Sequence, residues 1–237
     1  MKVLAIGNSF SQDGTRYLYE VAKASGAEMT VGNLVIGGCP LRKHYVNILD
    51  DERAYGYEYN GHNTFLKVSI REALVSQEWD VVTVQQVSHQ APDYKTYQPY
   101  LNVLVEYIKK YAPQAKIYIQ QTWGYENGSE RLERFGWSSM AEMFASIENA
   151  YTQAAEAIHA DGIIPSGKAM LTAAEKGLKV HRDSFHASLG FGRYLLALVW
   201  YKTLTGNSVL ENNLAKFDED VTEKEIAIAK EIAESIA

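Results

Sequence analysis

Three side chains in this sequence would make an acyl-transfer centre if the fold brought them together: Ser9, Asp183 and His186. Ser9 closes the stretch MKVLAIGNS, where a largely apolar run gives way to polar residues. A serine hydroxyl is a weak nucleophile at neutral pH, so it needs a base within hydrogen-bond reach and that base needs an orienting partner. The segment HRDSFHASLG (181–190) supplies such a pair, because Asp183 and His186 lie three residues apart. A tight turn there lets the carboxylate reach Nδ1 of the imidazole and leaves Nε2 facing a serine. Of the six histidines, only His186 combines a carboxylate at this spacing with a glycine-punctuated helix start just after it.

Charge developing on a tetrahedral intermediate needs preorganised donors. The backbone N–H of Ser9 at a helix N-terminus is one candidate, and that of Gly38, with no side chain in the way, is a second. Gln86 and Ser88, which follow WDVVTVQ (79–85), are both placed to add a third from a side chain. Trp123, Tyr125 and Trp137 flank the polar segment 124–136, read as a loop over the sheet edge. They serve either as an aromatic wall for a sugar ring or as anchors for that loop.

Each feature also has a plainer reading. Ser9 alone reads as a helix cap, and only the distant Asp-x-x-His favours catalysis. Cys39, beside Gly38, reads as a buried inert thiol, since no histidine stands in a better relation to it than His186 does to Ser9. His44, His62, His89 and His181 show no close ligand spacing, so no metal is expected. Asn127-Gly128-Ser129 matches a glycosylation acceptor but reads as a turn.

The elements that must position these residues follow from the pattern of the chain. Short β-rich runs alternate with amphipathic stretches, the signature of a mostly parallel sheet with helices on both faces, a three-layer, flavodoxin-like α/β architecture. Strands are predicted at 3–7, 30–38, 79–86, 115–123 and 162–167, with a hairpin at 55–69 turning on Asn60-Gly61. Helices are predicted at 15–26, 40–52, 100–113, 138–160, 189–206 and 222–237. No repeat or linker interrupts residues 1–237, which read as one domain. Ligands gather beyond the carboxyl ends of parallel strands, so the polar clusters after strands, at 7–9, 37–39, 85–89 and 120–123, are expected to converge on one edge.

At these residues the sequence resembles the SGNH hydrolases, also called GDSL-like esterases. Gly7-Asn8-Ser9 is similar to their first block, Gly38 to the glycine of their second, and Asp183-Ser184-Phe185-His186 to their closing Asp-x-x-His. Their third block, Gly-x-Asn-Asp, is replaced by Gln86-Val87-Ser88-His89. Sialate and acetyl-sugar esterases of the superfamily carry a glutamine there, so the resemblance makes Gln86 the first choice for the side-chain oxyanion donor and Ser88 the second. It implies the SGNH hydrolase fold, a Ser9–His186–Asp183 triad and no cofactor.

The expected function is hydrolysis of a small acyl ester, acetyl first, of a carbohydrate or similar polar metabolite. A lipase or thioesterase on the same frame is disfavoured because the loops are polar and tyrosine-rich. A flavodoxin-like binding module is disfavoured by Asp13 in the loop where a phosphate would sit. Composition excludes other classes. A net charge of −6 argues against nucleic acid as a partner. The 46% hydrophobic and 22% charged content suits a globular core. One cysteine forms no internal disulfide, no signal peptide follows Met1, and no apolar run spans a membrane, so a cytoplasmic protein is expected.

Overall fold

A computed structural model describes residues 1–237. Its backbone runs β1 (Lys2–Gly7), α1 (Ser9–Thr15), α2 (Leu18–Ala24), β2 (Thr30–Val35), α3 (Leu41–Leu49), β3 (Tyr55–Tyr59), β4 (His62–Val68) and α4 (Ile70–Val75). The second half runs β5 (Val81–Val84), α5 (Tyr100–Tyr111), β6 (Lys116–Gln120), α6 (Glu130–Arg134), α7 (Met140–Ile158), β7 (Gly162–Ile164), α8 (Ser166–Glu175), α9 (Phe191–Thr205) and α10 (Glu223–Ile236). The strands form one sheet in the order β4-β3-β2-β1-β5-β6-β7. β2, β1, β5, β6 and β7 are parallel, and the hairpin β3–β4 adds an antiparallel edge. This is the mostly parallel α/β sheet that the alternation of elements predicts.

Register explains why the loops meet. Ile6 pairs with Leu34 on one side and Val84 on the other, Val84 pairs with Ile119, and Ile119 pairs with Ile163. Parallel strands aligned in this way end at one level, so the segments after β1, β2 and β5 leave the sheet side by side. The central strands β1, β2 and β5 are buried because helices cover both faces of the sheet there, while the edge strand β4 is largely exposed. α9 packs against α1, α2, α8 and α10, while α5 packs against α3, α4 and α7. α9 is apolar around nearly its whole circumference, from Tyr194 through Tyr201, and every residue of that run is buried, as a central helix requires.

Three local predictions are corrected, and two helices are added to them. The helix expected at 15–26 is two helices, because α1 already starts at Ser9 and the chain breaks before α2. The early start follows from Asn8, whose side chain caps α1 by accepting from the Phe10 N–H at 3.0 Å. The polar stretch 124–136 is not all loop, since Ser129 caps the short α6. α4 and α8 were not expected. α4 is fixed by a Ser69–Glu72 capping box, and α8 begins directly after Pro165, so the strand predicted at 162–167 is only Gly162–Ile164.

Candidate active site

The strand-end segments and the 181–187 loop enclose a cleft of about 360 Å³ that holds Ser9, Gly38, Ser88 and His186. Ser9 is the first residue of α1 rather than its cap, so its hydroxyl is left for other work. That oxygen lies 2.8 Å from His186 Nε2. On the far side of the ring, Nδ1 lies 2.8 Å from Asp183 Oδ2, so a proton on Nδ1 leaves Nε2 free to accept from the serine. The other carboxylate oxygen of Asp183 accepts from the backbone N–H groups of His186, at 2.7 Å, and Phe185, at 3.1 Å. Burial works to raise the Asp183 pKa. Its bonds from the His186 backbone and ring and from the Phe185 N–H outweigh burial, and the net shift is downward, favouring the anion.

Two backbone donors face the same space. Ser9, at the first position of α1, has no carbonyl one turn back to receive its N–H. Gly38 sits in the turn after β2 at φ +62, a left-handed conformation that favours glycine, and its N–H donates to no protein group. Gly7 is a glycine for a different reason. A Cβ there would stand 2.7 Å from Ser11 Oγ and 2.9 Å from the Gln85 side chain.

The helix that carries Ser9 and the Asp-x-x-His loop are tied together by Asp13, one turn along α1 from Ser9. Its fully buried carboxylate accepts from Arg182 Nη1 at 2.9 and 3.0 Å, from Arg193 Nε at 2.8 Å and from the Ala187 N–H at 3.1 Å. Ala187 directly follows His186, so one carboxylate fixes helix, loop and α9 at once. Asp218 extends the network by pairing with Arg193 at 3.1 Å and Arg16 at 2.6 Å. Sequence reasoning missed this role of Asp13. The available signal was a carboxylate one helical turn from Ser9, with Arg182 beside the Asp-x-x-His motif.

Other predicted site residues lie elsewhere. Gln86 is fully buried behind the cleft with its amide fully engaged. Nε2 donates to Thr96 O and Oγ1 at 3.0 and 3.1 Å, while Oε1 accepts from Leu41 N and Val87 N at 3.0 and 2.9 Å. Its amide therefore has no hydrogen left for an oxyanion, and the expectation for Gln86 is corrected. Ser88 faces the cleft, its hydroxyl 3.0 Å from Tyr125 OH. The aromatic wall is corrected as well. Trp123 and Tyr125 are fully buried, Trp123 stacks on Phe10 at 4.1 Å, and its Nε1 donates to Phe185 O at 2.8 Å. Trp137 packs against the core and does not line the cleft. Trp123 and Tyr125 anchor the segment after β6 against the 181–187 loop. The phenylalanines that do line the cleft are Phe10 and Phe185, the latter packed on His186 with Arg131 of α6 over its ring.

Cys39 has a neighbour that the sequence did not reveal, since its Sγ lies 3.7 Å from His44 Nδ1. No group of three or more His, Cys, Asp or Glu side chains is arranged to hold a metal ion. No helix is long and apolar enough to cross a membrane.

Residues 2–236 match the family model described as a domain of unknown function, DUF4886. A DUF4886 family protein from Bacteroides uniformis, known from its crystal structure, is 34% identical, with a TM-score of 0.91 over 99% of this chain and 93% of its own. A protein from Slackia heliotrinireducens described as a candidate SGNH hydrolase is 26% identical, with a TM-score of 0.61 over 86% of this chain and 98% of its own. The psychrotrophic esterase EstA from Pseudoalteromonas sp. shares the fold, with a TM-score of 0.56 at 15% identity over 86% of this chain and 97% of its own. No curated protein matches the chain. With the family match spanning nearly every residue and the fold shared with these neighbours, the chain belongs to the DUF4886 family and is a member of the SGNH hydrolase superfamily.

Proposed function

We propose that this protein is a serine esterase that removes a small acyl group, acetyl first, from a hydroxyl of a carbohydrate or similar polar metabolite. The observation that carries the reading is the continuous relay Ser9 Oγ–His186 Nε2 and His186 Nδ1–Asp183 Oδ2, with 2.8 Å at each link. The fold shared with an esterase and a candidate SGNH hydrolase supports acyl-hydrolase chemistry on this frame.

In this mechanism Ser9 Oγ attacks the ester carbonyl while His186 Nε2 takes its proton. The Ser9 and Gly38 N–H groups receive the developing oxyanion, and Ser88 replaces Gln86 as the side-chain donor. Collapse of the intermediate breaks the bond to the alcohol, which leaves with the proton from His186. Water then repeats the attack on the acyl-Ser9 ester with His186 again as base, releasing the acid and restoring the serine. Asp183 holds the ring in the required tautomer and stabilises the imidazolium at each step. A short acyl group suits the cleft, whose apolar lining is limited to Phe10, Val87 and Phe185. Each added methylene gains about 0.8 kcal/mol only where apolar surface receives it.

The test is Ser9→Ala. It is expected to abolish p-nitrophenyl acetate hydrolysis and fluorophosphonate labelling while the Tm stays near the parent's. The parent should turn over the acetate faster than the octanoate. Full activity in the variant overturns the nucleophile, and a preference for octanoate overturns the short-acyl reading in favour of a lipase.

A further inference from the structure

The cleft around Ser9 and His186 contains one formally charged side chain, and it is a cation on a protein of net charge −6. That residue is Arg131 of α6. Five of the other arginines, Arg16, Arg53, Arg71, Arg182 and Arg193, are paired with carboxylates. Arg42 and Arg134 lack a carboxylate partner but are exposed to solvent. Arg131 is half-buried and has no carboxylate within 4.0 Å. Its guanidinium carbon stands 3.7 Å from the Phe185 ring centroid, and the Phe185 ring stands 3.8 Å from that of His186. The cation–π contact offsets part of the cost of desolvating the guanidinium and holds it one ring away from the base. It does not supply an anion.

The side of the cleft on which Arg131 lies identifies the part of the substrate it meets. His186 must hand its proton to the leaving alcohol, so the alcohol portion of the ester lies toward His186 and Phe185, where Arg131 waits. A second groove of about 550 Å³ continues from Arg131 between Glu130, Arg134, Phe135 and Ser184, with room for the rest of a sugar-sized alcohol. One planar guanidinium matches one carboxylate, and on the groove wall the Glu130 carboxylate offsets the exposed Arg134 guanidinium, which leaves Arg131 as the uncompensated cation for a single negative charge.

We propose that Arg131 anchors a carboxylate on the alcohol portion of the substrate, so that the preferred esters are O-acylated hydroxy acids or uronic acids rather than neutral esters. This rests on the esterase reading above and narrows it to anionic substrates.

The experiment compares 4-acetoxybenzoate with the neutral 4-acetoxybenzamide and the dianionic 4-acetoxyphenyl phosphate, in the parent, Arg131→Gln and Arg131→Lys. The parent should favour the benzoate over the benzamide in kcat/KM, mainly through KM. Arg131→Gln should reduce that preference roughly ten- to hundredfold, as loss of a charge-assisted pair does, and Arg131→Lys should restore part of it. Added NaCl should weaken the parent's preference and leave that of Arg131→Gln unchanged. Equal preference in parent and Arg131→Gln overturns the anchor, and a parent that favours the phosphate overturns the carboxylate. If the parent hydrolyses none of the three, the esterase reading falls separately. Titration of 4-hydroxybenzoate into Ser9→Ala and into Ser9→Ala/Arg131→Gln then decides the anchor, which survives only if binding is present in the first and lost in the second.

Discussion

Two places in this molecule set a nucleophilic side chain against an imidazole. Ser9 and His186 meet at 2.8 Å at the mouth of a cleft, with the Asp183 carboxylate behind the ring. Cys39 and His44 meet at 3.7 Å in the interior, with the neutral Tyr55 hydroxyl 2.8 Å from the ring nitrogen. By residue type the second pair is the better nucleophile, since a thiol ionises more readily than a hydroxyl. The surroundings reverse that order. Burial pushes the Cys39 pKa up to about 12, a nearby Lys43 countering only part of it, and burial brings the His44 pKa down to about 4. The proton therefore stays on sulfur, because neither member can carry charge there. At Ser9, the Asp183 pKa is held down, which favours an anion beside the ring, and the Gly38 N–H facing the cleft donates to no protein group. A nucleophile–histidine contact thus becomes chemistry only where the charges it creates are solvated or compensated.

The sharpest way to break the comparison is to take the carboxylate from the first pair. Asp183→Asn keeps a side chain of the same shape but presents no anion to the imidazolium, and its amide can force the wrong tautomer. The expected loss is about 10⁴-fold in kcat with little change in KM. A loss of less than tenfold would mean that His186 needs no partner and that its contact with Ser9 resembles the inert pair more than it differs from it.

Next in size is the device that holds the first pair in register. Asp13→Asn leaves the Arg182 and Arg193 guanidinium groups facing a buried neutral amide, and removing one partner of a buried charge pair costs about 3–5 kcal/mol. The melting temperature should fall clearly, and kcat should fall as well because α1 and the 181–187 loop lose their common anchor. Asp218→Asn, at the 30% exposed end of the same network, should cost about 1 kcal/mol or less and leave kcat intact. Equal effects at the two positions would show that the network is only surface charge.

The third prediction concerns the oxyanion side. Ser88→Ala should lower kcat by about 10²–10³-fold with KM little changed, as loss of one hole donor does. Gln86→Ala should instead act on stability, at about 1–3 kcal/mol, since it strips the Leu41 and Val87 N–H groups of their acceptor inside the protein. Measuring kcat and Tm for both variants separates the roles, and a large kcat loss confined to Gln86→Ala would reinstate the glutamine.

How far this could be read from sequence depends on range. The sheet was legible because periodicity and glycine punctuation are local, and Asn60-Gly61 does turn the β3–β4 hairpin, with positive φ at both residues. Asp183 and His186 were legible as a pair because three residues of turn suffice to bring carboxylate and ring together. The depth of a side chain is not a local property. Trp123 and Tyr125 sit in a polar neighbourhood of the sequence yet are fully buried, because the 181–187 loop folds over them from some sixty residues away. Gln86 is likewise withdrawn by Thr96 and Leu41, contacts that its strand pattern does not encode. Cys39 reads as inert because no histidine stands in a better relation to it than His186 does to Ser9, yet the histidine that meets it lies five residues on, in α3. Burial is what raises the pKa of the thiol beside that histidine.

The smallest effect is expected at that thiol, and it tests the comparison from its other end. Cys39→Ala should leave kcat and KM on p-nitrophenyl acetate within about twofold of the parent and cost about 1 kcal/mol of stability. The backbone carbonyl of Cys39, which accepts from Asn8 Nδ2 at 3.1 Å and so helps hold the cap of α1, is retained in the variant. In the native parent, iodoacetamide should react slowly throughout pH 7 to 10 and its rate should reach no plateau there, because a thiol with a pKa near 12 and 2% exposure holds only a trace of thiolate in that range and never approaches half-ionisation. In denaturant the same cysteine should label readily above pH 8.5, its ordinary range. The buried histidine should respond at the acid end. His44 has a folded pKa of about 4 against an ordinary value of 6.5, so between those limits the unfolded chain binds a proton that the folded chain refuses. Its contribution to stability is complete above pH 6.5 and is lost as pH falls toward 4, at about 1.4 kcal/mol per pH unit. Replacement by asparagine should flatten that part of the Tm–pH curve. Rapid native alkylation with a midpoint near pH 8, or a drop in turnover for Cys39→Ala, would show the second pair to be reactive and end the contrast with Ser9.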